Sequence, residues 1–321
     1  EDAMMGSCSR IALAGAASLT LLATAPVFSA QRTFVSTSGV NNPACSLVSP
    51  CRDFAAAIAA TNPGGEVIVL DSGGYGPANI TQSVSITAPS GVFAGVAVLS
   101  GLTGITINAP GADVSLRGLT INGQGGNAGI VMLAGSSLTI DGCVISNFPN
   151  GGPAPGQGSG IYIDAQASVH VYNTTVSHTL HGINVDGGAT AIVSDSKSLY
   201  NYGGVWVDPS AGHPQTTVSL ARTETSFNWV GVYSNGFVSP AVVKITNSIS
   251  RSNEFTGYQG SFNSSMTVSN SVVLDNATFG LNNSGAASFV SAGNNVLVGN
   301  GTATNGPITV IRQGVRAGER V

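Results

Sequence analysis

The sequence predicts an all-β protein built as a single parallel solenoid, in which the chain winds into stacked coils of short strands. Two observations predict this fold. A glycine followed by an aliphatic or aromatic residue recurs at intervals of 22 to 31 residues, and apolar residues alternate with polar ones after each such pair. The glycines are Gly104, Gly129, Gly160, Gly182, Gly204, Gly231, Gly257 and Gly280. Repeats of this kind bury their apolar side only when they stack on one another.

Each coil of about 22 residues is expected to contain three strands, which we name by their order after the glycine. The first strand contains the glycine pair, the second lies at residues such as 114–116, and the third at residues such as 119–121. Positions +1 and +3 after the glycine are mostly apolar and should point inward, so positions +2 and +4 should point outward. At the turn after the second strand we expect a ladder of short polar side chains. Its members are Asn173, Asp195, Asn247 and Asn270.

The composition indicates a folded core and excludes several functions. Of the 321 residues, 42% are hydrophobic and only 8% are charged, with a formal net charge of −4. A nucleic-acid binder with basic patches and a coiled coil both need more charge than this. We therefore expect no nucleic-acid partner.

The first residues are interpreted as a signal peptide. Arg10 precedes an uncharged stretch at residues 11–25, and small residues follow at 26–30. A helix of that length would rise only about 22 Å, whereas a membrane core is roughly 30 Å thick. We expect a secreted, periplasmic or cell-surface protein without a transmembrane segment. The predicted organisation is a signal peptide at 1–30, an N-terminal segment at 31–66, the β-helix at 67–311 and a polar tail at 312–321.

The N-terminal segment contains a short cysteine loop and a helix. Cys45 and Cys51 bracket the loop, and export to an oxidising compartment predicts a disulfide between them. Cys143 lies in an apolar strand pattern and is expected to be a buried free thiol. Residues 52–60 are predicted to form a helix that covers the open strand edges of the first coil.

The run PCRDFAAAI at 50–58 and the run PGGEVIVLDSGGYG at 63–76, followed by the glycine coils, resemble a known family. They are similar to secreted bacterial right-handed parallel β-helix proteins of the pectin/pectate-lyase-like superfamily. The resemblance implies that fold over nearly the whole chain after the signal peptide. It does not imply one chemistry, because this superfamily includes lyases, hydrolases, epimerases and adhesins. The adjacent Asp pair and the Arg-Ile-Lys signature of polygalacturonases are missing, as is the arginine motif of pectate lyases.

Two outward columns of the first strands contain the candidate site. The candidate substrate-binding residues, at +2, are Tyr162, Asn184, Trp206 and Tyr233. The candidate catalytic carboxylates, at +4 in three successive coils, are Asp164, Asp186 and Asp208. His213 lies in the loop after Asp208 and is a candidate acid or base. An insertion at 147–158 is expected to form a wall beside these residues.

The spacing of the carboxylates is consistent with glycoside cleavage. Strands about 4.8 Å apart place neighbouring carboxylates at roughly that distance, and the outer two at roughly 9.6 Å. These distances bracket the separations of about 5 to 9.5 Å found in retaining and inverting glycosidases. The stacked charges repel one another, so the three Asp residues are also candidate Ca²⁺ ligands. No other cofactor is expected.

Each of these observations has a structural alternative. Asp commonly begins a turn, and the aromatic residues are also consistent with an ordinary strand surface. The leading hypothesis is a secreted, monomeric protein that binds an extracellular polysaccharide along the first-strand face. As a further hypothesis it cleaves that polysaccharide, as a lyase or a glycoside hydrolase. The alternative is a non-catalytic adhesin or a structural surface solenoid.

Overall fold

The structure is a computed structural model that describes residues 30–311. These residues form a right-handed parallel β-helix of about nine turns with three parallel sheets, which confirms the predicted fold class. The signal peptide predicted at 1–30 lies outside the described residues, except for its last residue. The polar tail predicted at 312–321 lies outside them entirely.

Each sheet collects one strand from every coil. The first-strand sheet contains β4 (Ala78–Ile80), β7 (Thr103–Asn108), β10 (Ala128–Ala134), β13 (Ser159–Ile163), β16 (His181–Val185), β19 (Gly203–Val207), β22 (Val230–Asn235), β25 (Thr256–Ser261), β28 (Phe279–Ser284) and β31 (Thr302–Asn305). The second-strand sheet contains β1 (Ala30–Val35), β2 (Thr61–Val69), β5 (Val84–Thr87), β8 (Asp113–Arg117), β11 (Ser137–Asp141), β14 (Ser168–Tyr172), β17 (Thr190–Ser194), β20 (Thr216–Ala221), β23 (Ala241–Thr246), β26 (Ser264–Ser269), β29 (Ser288–Ala292) and β32 (Thr309–Ile311). The third-strand sheet contains β3 (Gly73–Gly74), β6 (Ala94–Leu99), β9 (Leu119–Gln124), β12 (Val144–Phe148), β15 (Thr175–Thr179), β18 (Lys197–Leu199), β21 (Glu224–Ser226), β24 (Ile249–Arg251), β27 (Val272–Leu274) and β30 (Val296–Val298).

The register of the first-strand sheet aligns equivalent positions of successive coils. Tyr162 pairs with Asn184, Asn184 with Trp206, and Trp206 with Tyr233. Their neighbours at +1 and +3, such as Ile161 and Ile163, are fully buried. The alternation of inward and outward positions is therefore as expected, because successive strand residues point to opposite faces.

The turn after the second strand has the backbone that short polar residues favour. Asn173, Asp195, Asn247 and Asn270 all have positive φ angles, between 47° and 51°. The Asn270 amide donates to Oδ1 of Asn247. The predicted ladder therefore lies at a left-handed turn position, which Asn and Asp tolerate better than most residues.

One helix, α1 (Phe54–Ala60), occurs between β1 and β2 within residues 30–311. It begins two residues after the predicted start because Asp53 is its N-cap and accepts a hydrogen bond from the Ala56 N–H at 2.8 Å. The helix contacts β1, β2 and β4. Its role as a cap for the first coil stays a prediction. No helix in the described part of the chain is long and apolar enough to cross a membrane.

The cysteine predictions are confirmed. Cys45 and Cys51 form a disulfide. Cys143 is a free, buried thiol, and burial raises its pKa to about 11. A thiol with such a pKa stays protonated at neutral pH, so it packs as a small apolar side chain.

Candidate functional site

The three candidate carboxylates follow β13, β16 and β19 at the same edge of the first-strand sheet. The main-chain N–H of Asp164 donates to Met132 at 2.8 Å, and that of Asp186 donates to Ile163 at 2.8 Å. These bonds continue the strand pairing by one residue and fix the position of both backbones. The side chains nevertheless have different surroundings.

Asp186 is buried and holds a loop in place. Its side chain accepts hydrogen bonds from the Ser210 N–H at 2.5 Å, the Ser210 hydroxyl at 2.9 Å and the Tyr162 hydroxyl at 3.1 Å. Its carbonyl accepts from the Thr216 hydroxyl at 2.7 Å. Asp186 is only 9% exposed, whereas an exposed carboxylate was expected. It differs because the loop at 209–215 is attached to it at both ends and covers it.

Asp164 faces a groove together with His213. Its Oδ1 atom lies 3.5 Å from Nε2 of His213, and both side chains are about one-third exposed, at 31% and 35%. The groove has a volume of about 450 Å³. Its lining includes Pro110, Leu133, Gly135, Gln166 and Pro214. The loop that Asp186 holds thus places an imidazole beside a carboxylate two coils away.

Burial and mutual repulsion change the acidity of the outer two carboxylates. Burial and the charge of Asp186 raise the pKa of Asp164, and the charge of His213 opposes this shift. Burial and Asp186 also raise the pKa of Asp208, while a hydrogen bond from Asn235 at 2.8 Å opposes it. Both carboxyl groups therefore keep a proton at higher pH than a free aspartate does.

Tyr162 is covered by the predicted wall. A Cβ atom at Gly156, in the insertion before β13, would lie 2.5 Å from Cβ and Cγ of Tyr162, so only glycine allows this approach. Burial, followed by the charges of Asp186 and Asp164, raises the pKa of the Tyr162 hydroxyl. The hydroxyl is a neutral donor to Asp186 at any pH near neutrality. Tyr162 therefore connects the wall to the loop.

Trp206 lies between two other rings. His181, from the preceding coil, is at 4.6 Å between centroids and 22° between planes, and Tyr233, from the following coil, is at 4.2 Å and 36°. Burial lowers the pKa of His181 to about 4, so the imidazole is uncharged at neutral pH. Trp206 and Tyr233 are candidate substrate-binding residues, and an open ring face is the surface that would pack on a sugar ring. Both faces of Trp206 are instead in contact with rings, so it presents mainly its edge to a ligand.

The sequence reasoning missed two groups of residues. Tyr202, Trp229 and Phe255 form a second stack beside the first, with centroid distances of 4.6 and 4.9 Å. Each lies two residues before the glycine that defines its coil, so this stack could have been predicted from the repeat. Ser210 and Thr216, which fasten the loop to Asp186, gave no signal, because the repeat does not extend into that loop.

The carboxylates are not arranged as a metal site. Within residues 30–311, no group of three or more His, Cys, Asp or Glu side chains is close enough to hold a metal ion. The geometry therefore adds no support to Asp164, Asp186 and Asp208 as candidate Ca²⁺ ligands. The carboxylate oxygens of Asp186 instead accept hydrogen bonds from Ser210 and Tyr162.

Comparison with known proteins identifies the fold family. The sequence model of the right-handed β-helix region matches residues 62–222, about half of the chain. The chain belongs to this family. This β-helix protein has no match among curated proteins.

Two solved structures are similar to this β-helix protein. The crystal structure of pectate lyase Pel9A has 16% sequence identity and a TM-score of 0.51, over 90% of this chain and 78% of the lyase. The Dettilon tailspike protein has 12% identity and a TM-score of 0.36, over 87% of this chain and 68% of the tailspike. At such identity the likeness to the lyase shows the fold alone.

Proposed function

We propose that the protein binds a polysaccharide along the outward face of the first-strand sheet. The observation that carries this proposal is the groove lined by Asp164 and His213, which lies at the end of the strand that places Tyr162 in the outward column with Asn184 and Trp206. A concave site with a few polar groups beside apolar surface is typical of ligand binding. The loop at 209–215, which contributes His213 and Pro214 to the lining, would limit where a chain can enter.

Retention on a panel of cell-wall and plant polysaccharides tests binding. We expect the protein to be retained on at least one member, and Trp206→Ala to reduce retention. Tyr172→Ala is the matched control, because Tyr172 is a partly exposed aromatic residue on the second-strand sheet. If no polysaccharide retains the protein, the proposal is wrong and the alternative of an adhesin or structural solenoid gains support.

Asp164 favours cleavage as a second candidate function. A carboxyl group whose pKa is raised, next to an imidazole, is suited to proton transfer. In a hydrolase, Asp164 would act with Asp208, two coils and roughly 9.6 Å away, close to the separation in inverting enzymes. In a lyase, His213 would be the base. We assign Asp186 to loop positioning in either case.

A product screen tests cleavage. The purified protein is incubated with the polysaccharide panel, with and without Ca²⁺, and both new reducing ends and the absorbance of unsaturated products are measured. Reducing ends alone indicate a hydrolase, and unsaturated products indicate a lyase. Asp164→Asn should abolish either signal, whereas Asp113→Asn, on the second-strand sheet, should not. Retention without any product would leave binding as the function.

An extracellular location belongs to the same proposal. The disulfide between Cys45 and Cys51 is consistent with an oxidising compartment such as the periplasm or the cell exterior. A secreted monomer that meets its polysaccharide outside the cell is the simplest form of the proposal. Size measurement of the protein recovered from culture medium tests both the location and the monomer.

A further inference from the structure

Charges are distributed unevenly over the surface. The first-strand sheet and the turn after it contain Asp164, Asp186 and Asp208, and no Lys or Arg lies on that sheet within residues 30–311. The described cations lie on the other two sheets or in turns elsewhere. They are Arg32, Arg52, Arg117, Lys197, Arg222, Lys244 and Arg251. The outward face of the first-strand sheet is therefore negative, so it attracts cations and repels anions.

The unused hydrogen-bonding groups on this face are acceptors. Buried side-chain oxygens without a hydrogen-bond partner include Oδ1 of Asn184 and Oε1 of Gln259, and Oδ1 of Asp164 has only the 3.5 Å contact with Nε2 of His213. All three belong to the outward columns of the first-strand sheet. The other unpartnered groups in the described chain are hydroxyls, which can donate as well as accept. The terminal torsions of Asn and Gln rotate readily, so a ligand rich in donors could reach these oxygens.

A polymer of uronic acids would meet an unfavourable surface here. Its carboxylates would lie beside Asp164 and Asp208 without a Lys or Arg to pair with on the same sheet. The described residues also lack a group of three ligands that could hold a bridging cation. Like charges that are not compensated lower affinity and exclude partners. A ligand with protonated amines would instead pair with Asp164 and Asp208 and supply donors.

We propose that the polysaccharide of this face is a polymer of amino sugars with free, protonated amines. This inference rests on the proposed binding function and names the chemical class of its ligand. Asp164 and Asp208 pair with amines, and the amide oxygens of Asn184 and Gln259 accept from amines or hydroxyls. The aromatic edges contact the sugar rings.

Calorimetric binding of three oligosaccharides of equal length tests the inference. They are oligomers of glucosamine, of N-acetylglucosamine and of galacturonate. We expect the glucosamine oligomer to bind most tightly, and its affinity to fall as salt rises from roughly 50 mM to roughly 500 mM. Asp164→Asn and Asp208→Asn should each weaken it by roughly two- to fivefold, the range for exposed ion pairs. Asp113→Asn, an exposed carboxylate on another sheet, should not change it.

The outcomes of this experiment distinguish failure of the amino-sugar inference from failure of the proposed polysaccharide binding. Equal affinity for the acetylated and free-amine oligomers would overturn the role of charge, and so would affinity that neither salt nor the Asn variants alter. Tighter binding of the galacturonate oligomer would overturn the ligand class while leaving polysaccharide binding in place. If the protein binds none of the three but is retained by another polysaccharide, the inference also fails. Only a lack of retention on the whole panel contradicts the proposed function itself.

Discussion

The interior of the β-helix is filled differently in its two halves. In the N-terminal coils, the inward residues of the third strands are aliphatic, as at Ile121, Ile145 and Val176. In the later coils, the equivalent positions are Ser198, Thr225 and Ser250, all buried, and Val273 is aliphatic again. This inward column of the third-strand sheet thus has an apolar half, up to Val176, and a polar half, from Ser198 to Ser250, whereas inward residues of the other two sheets such as Val232 and Ile245 are apolar in the later coils too.

The polar half replaces apolar contacts with directed hydrogen bonds. The backbone N–H of Asn201 donates to Asn228 Oδ1 at 2.8 Å, and that of Asn228 donates to Asn253 Oδ1 at 2.9 Å. The ladder continues from Asn253 to Asn276 at 3.1 Å. In the N-terminal half, Phe148 occupies the same corner of the coil. Apolar packing stabilises a coil with little regard to direction, whereas the ladder also fixes how each coil is placed on the next.

The largest effect is expected in the apolar half. Ile145→Ala should lower the free energy of unfolding by about 2 to 5 kcal/mol, because it removes buried methyl groups and leaves a cavity. Urea unfolding followed by circular dichroism measures this loss. Ile192→Ala is the control, since Ile192 is 41% exposed on the second-strand sheet and should change stability little. A loss at Ile145 as small as at Ile192 would contradict the importance of apolar packing in this half.

The asparagine ladder should be the next most sensitive feature. Asn228→Ala leaves the buried N–H of Asn201 without its acceptor and the Ser198 carbonyl without its donor. An unpaired buried group costs about 1 to 3 kcal/mol, so the free energy of unfolding should fall by that amount. The same urea experiment measures it, with Asn263→Ala in an exposed turn as the control. If both variants unfold alike, the ladder does not stabilise the later coils.

The fold was predictable because its signal repeats. Every coil repeats the glycine, the alternation of apolar and polar residues, and the turn. A wrong interpretation of a single residue therefore does not change the predicted fold class. The buried ladder was not predicted, although Asn201, Asn228 and Asn253 have similar spacings. Polar residues at a strand end are usually read as a solvent-exposed turn, and only the packing of coils shows that these side chains point inward.

The candidate site was only partly predictable, for the opposite reason. The columns that contain Asp164 and Trp206 follow from the repeat and were placed correctly. The covering of Asp186 depends on Ser210 and Thr216, which belong to a loop without a repeat. The covering of Trp206 depends on side-chain packing between coils. Sequence patterns predict which face a residue is on, but not what another segment places over it.

A buried hydroxyl without a partner separates the two kinds of polar residue in the C-terminal half. Ser234 is fully buried and its hydroxyl has no hydrogen-bond partner, whereas buried Ser264 accepts from the Ser261 N–H at 3.1 Å. Ser234→Ala should therefore raise the free energy of unfolding by up to about 1 kcal/mol, and Ser264→Ala should lower it by a similar amount. Thermal unfolding measures both. Equal effects of the two substitutions would show that the later coils do not distinguish satisfied from unsatisfied hydroxyls.

The smallest effect is expected outside the core, at Asp208, which follows β19 in the later coils. Its raised pKa means that the folded protein binds a proton there more tightly than the unfolded chain does. Stability from this group is therefore present below the unfolded pKa of about 3.9 and is lost as pH rises through the folded value. Asp208→Asn should raise the free energy of unfolding at pH 7 by at most about 1 kcal/mol, after allowance for solvent screening.

The pH dependence of that gain is what identifies its cause. The gain should disappear in acid, where Asp208 is protonated in both states and Asn removes no charge. Asp113→Asn supplies the control, because Asp113 is exposed and accepts only from the Ser137 hydroxyl, at 2.6 Å. A gain at Asp208 that persists unchanged in acid would point to altered packing rather than charge. A gain confined to neutral pH would show that the Asp208 carboxylate is retained at a cost to stability, as expected of a group that serves a ligand.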